Sequence, residues 1–401
     1  MSEKIEISFD DFKKPEKITI DLPDLIKTGR DTKLKVARLT SRGDRKLSMQ
    51  YESGLTFPTG IDSGFRMKSS IQLADRFMNR ILFNDSFVVL TSATGNVYFV
   101  DTESGLISGN LNFEGEVFEK TGVVIENSFY INSVVSIFCI KGDIEKRESA
   151  TQIYSVTSGY FIWTDLNVIG RNIFFIEYNP QNGFANLVAL DSDNGRIICK
   201  NEFQTNSSDI SDICSFGNML IFIAGSEILC WSVEQLKFLN LPDLPEVSGD
   251  SIIAAGSNQI FIYSANDMIY GSFMPLHFKT TGISRRLINS IGVIGNYFVI
   301  SKSDGWEIIN DAGRVIYRHD DNDVNILQAM NVHIICLSIK NKLVMYNTNN
   351  FNEAEGIVLK SDNSDTIPEI ISAAMSDTFI FALTKDGTFA LITNDKLNIN
   401  V

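Results

Sequence analysis

Histidines, cysteines and acidic clusters are the residues of this 401-residue chain from which a reactive site would have to be assembled, and it has only three histidines and five cysteines. A catalytic histidine needs a nucleophile on one side and an orienting acid on the other. His333 lies in the apolar run VHIICLS and reads as a core residue. His319 opens HDDND, a solvated turn between repeats, and His277, in MPLHF, falls on an outer strand. Asp191-Ser192-Asp193-Asn194-Gly195 begins like a calcium loop, but its glycine comes one position early and no glutamate closes it. A hairpin turn is the better reading. Asp320, Asp321 and Asp323 are neighbouring loop carboxylates of the kind water solvates. Glu177, in IFFIEY, is the clearest acid inside an apolar strand, whereas glycoside hydrolysis by carboxylates needs a pair. No phosphate loop of the form G-x-x-x-x-G-K-[ST] occurs. No catalytic residue, metal or cofactor is expected.

The remaining candidates are surface contacts. Arg42, Arg45 and Lys46 form the densest basic patch, SRGDRK, suited to weak docking of an acidic partner. Leu241 and Leu244 in LNLPDLPEV, and Met274 and Leu276 in FMPLHF, place apolar groups on outer strands or connecting loops, where proteins make contacts. The charged segment 141–152, KGDIEKRESATQ, reads as an insertion into the second repeat.

Composition narrows the classes. Acidic residues outnumber basic ones 49 to 35, for a formal charge of −14. Nucleic-acid backbones and anionic membranes repel such a chain. The N-terminus, MSEKIEISFDDFKK, is charged from its third residue and has no apolar core of a signal peptide. No apolar run reaches the length of about 18 residues that a membrane helix needs. Cys139, Cys199, Cys214, Cys230 and Cys336 are odd in number and sit in apolar runs. Free thiols in a reducing compartment follow, and the expected location is the cytoplasm.

A repeat positions all of these residues. Apolar runs anchored on Phe87, Phe129, Ile173, Met219, Ile260, Tyr297, Ile334 and Phe379 recur at steps of 37 to 46 residues. Each is followed by a turn rich in Gly, Asn and Asp, a second strand, another turn and a more polar strand, as in YFVISKSDG, WEIINDAG, RVIYRHD. A further apolar stretch precedes each anchor, so each unit has four strands. The anchor runs are nearly continuous rather than alternating, which implies burial on both faces. The pattern predicts an all-β, eight-bladed β-propeller of four-stranded blades over 75–401. Seven blades remain the alternative if the second unit is a decoration. Residues 1–74 lack the repeat and are expected to pack on the ring or close it by adding a strand. KLNINV is expected as the last outer strand.

At NVYFVDTESGLIS and NLVALDSDNGRII the sequence resembles the repeat of the pyrroloquinoline-quinone-like propellers. Asp101 to Gly105 and Asp191 to Gly195 carry the likeness, and Asp311-Ala312-Gly313 a shortened form. That family contains exported quinoprotein dehydrogenases and non-catalytic assembly scaffolds. The dehydrogenases' adjacent cysteine pair is missing, and only three tryptophans are present, so the resemblance implies the scaffold branch. The expected function is a non-catalytic protein-interaction platform in a multiprotein assembly, for which a propeller subunit working with an AAA+ ATPase of the MoxR type is one setting. The alternatives are a hydrolase or lyase with a site at the central channel, and a structural subunit of a phage or secretion particle.

Overall fold

A computed structural model describes residues 65–394 except 142–149, 206–208, 241–245, 248–250, 257–258, 264–267, 274–275, 281–287, 295–296, 303–304, 311, 320–323, 332–333, 340–341, 348–349, 362–368 and 377, together with the strands 5–7, 18–20, 34–37 and 47–53. Among these residues every regular element is a strand.

Eight antiparallel sheets of four or five strands succeed one another, over 82–113, 123–155, 161–204, 214–238, 252–280, 288–319, 324–361 and 370–394. Each is built from hairpins between consecutive strands, because Gly, Asn and Asp at the junctions supply the backbone conformations that tight turns need. The second unit is a complete four-stranded sheet. The third carries its inner strand in two pieces, Phe161–Ile162 and Asn167–Ile169, both paired with Asn172–Asn179. The eight anchor residues all fall on the second strand of their sheets.

The first strands of most successive sheets lie side by side, so the sheets are arranged about a common centre with their fourth strands outermost. Apolar clusters fill the spaces between neighbours. One joins Val89, Phe99 and Phe113 of the first sheet to Phe129, Ile131 and Phe138 of the second. Another joins Phe174, Ile176 and Leu187 of the third to Leu220, Phe222 and Trp231 of the fourth. A middle strand therefore buries both faces: Phe174 and Ile176 pack one way, Ile173 and Phe175 the other. That is why the anchor runs show no alternation.

The ring closes where the eighth sheet meets the first. Phe381, Leu383, Phe389 and Leu391 share one core with Val88, Leu90 and Val100. The eighth sheet takes its outer strand from far upstream: Phe65–Gln72 pairs with Thr388–Asn394, from Gln72 opposite Thr388 to Phe65 opposite Asn394. Gln72 reinforces the join, donating from Nε2 to the Asp386 carbonyl at 2.7 Å and accepting from Thr388 Oγ1 at 2.7 Å. KLNINV therefore does not supply that outer strand. The edge it was expected to fill belongs to the N-terminal segment, and 395–401 lie outside the described residues.

Two more N-terminal strands lie on outer edges. Leu34–Ala37 pairs with Ile107–Phe113 of the first sheet, and Leu47–Ser53 with Asn350–Ser361 of the seventh. Two further differences from the sequence reading are local. The strand Ala150–Ser155 begins inside the segment read as an insertion, so that segment is shorter than 141–152. His319 ends the strand Val315–His319, opposite Trp306, rather than opening a turn.

Candidate functional site

The first seven sheets run from inner to outer strand in chain order, so the turns joining their third to fourth strands emerge on one face. In the first sheet the turn begins at Asp101, whose Oδ1 accepts the Ser104 amide at 2.5 Å, while Gly105 N donates to the Asp101 carbonyl at 2.8 Å. In the third, Asp191 Oδ1 accepts the Asp193 amide at 2.8 Å and Gly195 N donates to Asp191 O at 2.8 Å. Both glycines have positive φ and press against the outer strand of the preceding sheet. A Cβ on Gly105 would lie 2.7 Å from Ser69 Oγ, and one on Gly195 2.7 Å from the Ile153 carbonyl oxygen. The Asp-to-Gly turn is thus a clasp between neighbouring sheets. In the sixth sheet the capping oxygen comes from Asn310, whose Oδ1 accepts from Ala312 and Arg314, one residue ahead of the triplet that suggested the motif.

These turns place apolar side chains in water. Leu106, Ile197, Leu236, Val315 and Ile316 are all exposed. Leu106 and Leu236 immediately precede a fourth strand, and Ile197, Val315 and Ile316 begin one, on the first, third, fourth and sixth sheets. Only two other large apolar residues among the described ones are comparably exposed, Met78 and Phe161, both where the chain passes between sheets on the opposite face. The apolar rim is accompanied by mixed charge. Arg171 bridges Glu126 at 2.8 Å and Asp193 at 3.4 Å, and those acids hold its guanidinium above its ordinary pKa.

Buried carboxylates sit between sheets, away from that rim. Glu177 is wholly buried and accepts from Tyr154 of the second sheet at 2.5 Å, from Asn186 Nδ2 at 2.9 Å, and from the Lys200 ammonium. Lys200 also lies 5.5 Å from the centre of the Tyr160 ring. Burial, and then the hydrogen bond and charge of Glu177, push the Tyr154 phenol far up. Glu307 is the second such group. Lys302 and Arg318 both pair with it, Arg318 Nε donating to Oε1 at 2.7 Å. Tyr263 of the fifth sheet, fully buried, feels its charge. Each carboxylate is paired with cations of its own sheet.

A third acidic site lies where the chain enters the inner strands. Asp165 Oδ1 accepts the Thr121 amide at 2.7 Å, and Asp212 Oδ1 accepts the Asp165 amide at 3.2 Å. Burial and the Asp212 charge raise the Asp165 pKa, against the pull of the Thr121 amide, Arg80 and Lys120. Among the described residues no group of three or more His, Cys, Asp or Glu is placed to hold a metal ion, and no helix is long and apolar enough to cross a membrane. Cys139, Cys199, Cys214 and Cys230 are free thiols.

No family model matches the chain, and no curated protein matches it in sequence. Among solved structures, Sqt1 from Saccharomyces cerevisiae aligns with a TM-score of 0.59 at 11% identity, covering 80% of this chain and 97% of that one. BamB from Moraxella catarrhalis aligns at 0.49 and 12% identity, covering 82% of this chain and 98% of that one. The fold is an all-β propeller. At this identity the likeness concerns fold alone.

Of the contacts chosen from the propeller's sequence, Leu276 opens the outer strand Leu276–Thr280 of the fifth sheet. Leu241, Leu244, Met274, Arg42, Arg45 and Lys46 lie outside the described residues, as do His333 and Asp320, Asp321 and Asp323. His277 is on that same fifth-sheet outer strand. The sequence reading missed Glu307, although an acid between Trp306 and Ile308 with Lys302 and Arg318 in hairpin range is a legible signal. It also missed the rim. No common local signal marks it: a turn glycine stands one or two residues before Leu106, Ile197 and Val315, but the turn before Leu236 has none.

Proposed function

We propose that this propeller is a non-catalytic scaffold that binds protein partners within a multiprotein assembly, on the face bearing Leu106, Ile197, Leu236, Val315 and Ile316. The observation that carries the reading is the segregation of exposed apolar side chains: among the described residues, five of the seven lie where a fourth strand begins, in four sheets, on one face of the ring. Isolated exposed apolar residues are ordinary, but their repetition at one structural position around a ring makes a surface that a partner can dehydrate. In this reading each of the eight sheets is one blade, the repeat is of the pyrroloquinoline-quinone-like type in its scaffold branch, and the protein works in the cytoplasm. Neutralisation of Glu177 and Glu307 by their own partners weighs against the alternative of a carboxylate hydrolase.

Purification of the tagged chain from its native host, with mass spectrometry of co-purifying proteins, tests this. Partners recovered in near-integral ratio support the scaffold. A chain recovered alone, at native expression level and low salt, would overturn it.

A further inference from the structure

The fourth strand completes each repeat, yet two sheets carry a strand beyond it. Leu34–Ala37 lies outside the first sheet, with Leu34 opposite Phe113 and Ala37 opposite Asn110. Leu47–Ser53 lies outside the seventh, running from Leu47 opposite Ser361 to Ser53 opposite Glu355. Among the described residues the outer strands of the second to sixth sheets have no such neighbour. The first and seventh sheets flank the eighth, whose own fourth strand is Phe65–Gln72. Between residues 34 and 72 the chain therefore adds to three adjacent sheets across the closure of the ring.

The three additions differ in kind. Phe65–Gln72 completes a blade: Ile71 belongs to the core shared by the eighth and first sheets. The other two strands each pair with one neighbour only, so their loss leaves every four-stranded sheet and the closure in place. Leu47, Met49 and Tyr51 alternate with Ser48, Gln50 and Glu52, the period-two pattern of a strand with one apolar face. An outer sheet edge presents a row of unpaired amides and carbonyls, and any chain with matching alternation can fill it. Every copy of this protein carries a segment with that alternation, in a register the edges already accept.

We infer that the outer edges of the first and seventh sheets are strand-acceptor sites, filled by the chain's own strands Leu34–Ala37 and Leu47–Ser53 as exchangeable occupants and open to the same strands of a second copy. This site is independent of the apolar rim: it binds backbone through hydrogen bonds at the circumference rather than side chains on a face.

The test uses the full chain with a protease recognition sequence inserted within 54–64 and cleaved after folding. The cut N-terminal fragment should co-elute with the ring on gel filtration. An excess of labelled synthetic peptide of residues 31–53 should then displace it, the ring taking up label as the fragment is released. The peptide carrying Gln50→Pro and Tyr51→Pro should not be taken up, because one of two adjacent positions must donate to the ladder. A fragment that leaves on cutting with no label taken up, or one that stays and never exchanges, would overturn the proposal. A second measurement needs no insertion. Ser48 and Lys360 are directly opposed, so Ser48→Cys and Lys360→Cys on separate copies, mixed at high concentration and oxidised, should yield a disulfide-linked dimer. The two substitutions in one chain should yield a cross-linked monomer. The absence of the mixed dimer, with the monomer cross-link formed, would refute the second-copy occupant.

Discussion

Tyr154 of the second sheet donates its phenolic hydrogen to the wholly buried Glu177 of the third at 2.5 Å. The same carboxylate takes Asn186 Nδ2 and the Lys200 ammonium, so one acid ties together four strands of two sheets. A buried charge with its partners in place is close to neutral for stability, and removing one partner is what costs. Glu177→Ala should therefore destabilise by about 3 kcal/mol, and Glu177→Gln, which keeps an acceptor, by about 1–2 kcal/mol. Glu177→Gln combined with Lys200→Met should cost less than the sum of the two single changes. Denaturant midpoints of the four proteins check this, and strict additivity would show that the pair is not coupled.

Asp165 gives a pH dependence of opposite sign to that of a paired carboxylate. Burial and Asp212 raise its pKa in the folded state, so the folded protein binds its proton more tightly than the unfolded chain does. The stabilisation is complete below the unfolded value of about 3.9 and is lost as pH rises through the folded one. Asp165→Asn keeps an oxygen for the Thr121 amide without the charge. The variant should melt higher than the wild type at pH 7, with the difference vanishing near pH 4. A variant that melts lower at pH 7 would mean that Arg80 and Lys120 dominate the site.

The clasp between blades makes a prediction about two glycines with similar backbone angles. Gly195 has φ of 70° and Gly170 a φ of 62°, but only Gly195 faces the backbone of another blade, while a Cβ on Gly170 would meet nothing within 4 Å. Gly170→Ala should cost about 1 kcal/mol, the conformational term alone. Gly195→Ala should cost about 2–3 kcal/mol, because the second and third sheets must also part. Thermal unfolding of the two variants separates strain from contact.

Thiol reactivity should report unfolding. Burial pushes Cys230 up to about 12, and burial with the Asp212 charge does the same for Cys214. Thiolate is the reactive form, so both should resist a thiol reagent at pH 8 in the folded protein and react at the rate of free cysteine in denaturant. Peptide mapping after timed labelling identifies the sites, and rapid native labelling of Cys230 would contradict the burial described.

Much of the architecture was legible because it is local and repeated. All eight anchors landed on second strands because an apolar run between two Gly- or Asn-marked turns has one way to sit in a hairpin meander. What the sequence concealed is non-local. Nothing in KLNINV or in FRMKSSIQ says that the latter, more than 300 residues away, takes the outer edge of the last sheet, since that choice is settled by pairing rather than by local pattern. Glu307 carries the same local signal as Glu177, an acid in an apolar strand, but its pairing depends on where Lys302 and Arg318 point, which is not local. The rim residues Leu106 and Ile197 look like ordinary strand residues until the exposure of the outer strands is known.

The most direct test is a comparison of two tagged proteins purified from the native host: the wild type, and a variant carrying Leu106→Lys, Ile197→Lys, Leu236→Lys and Val315→Lys. All four positions are exposed, so the melting temperature should be preserved. The scaffold account predicts that the stoichiometric partners retained by the wild type are lost from the folded variant. Retention of the same partners in the same ratio would contradict it.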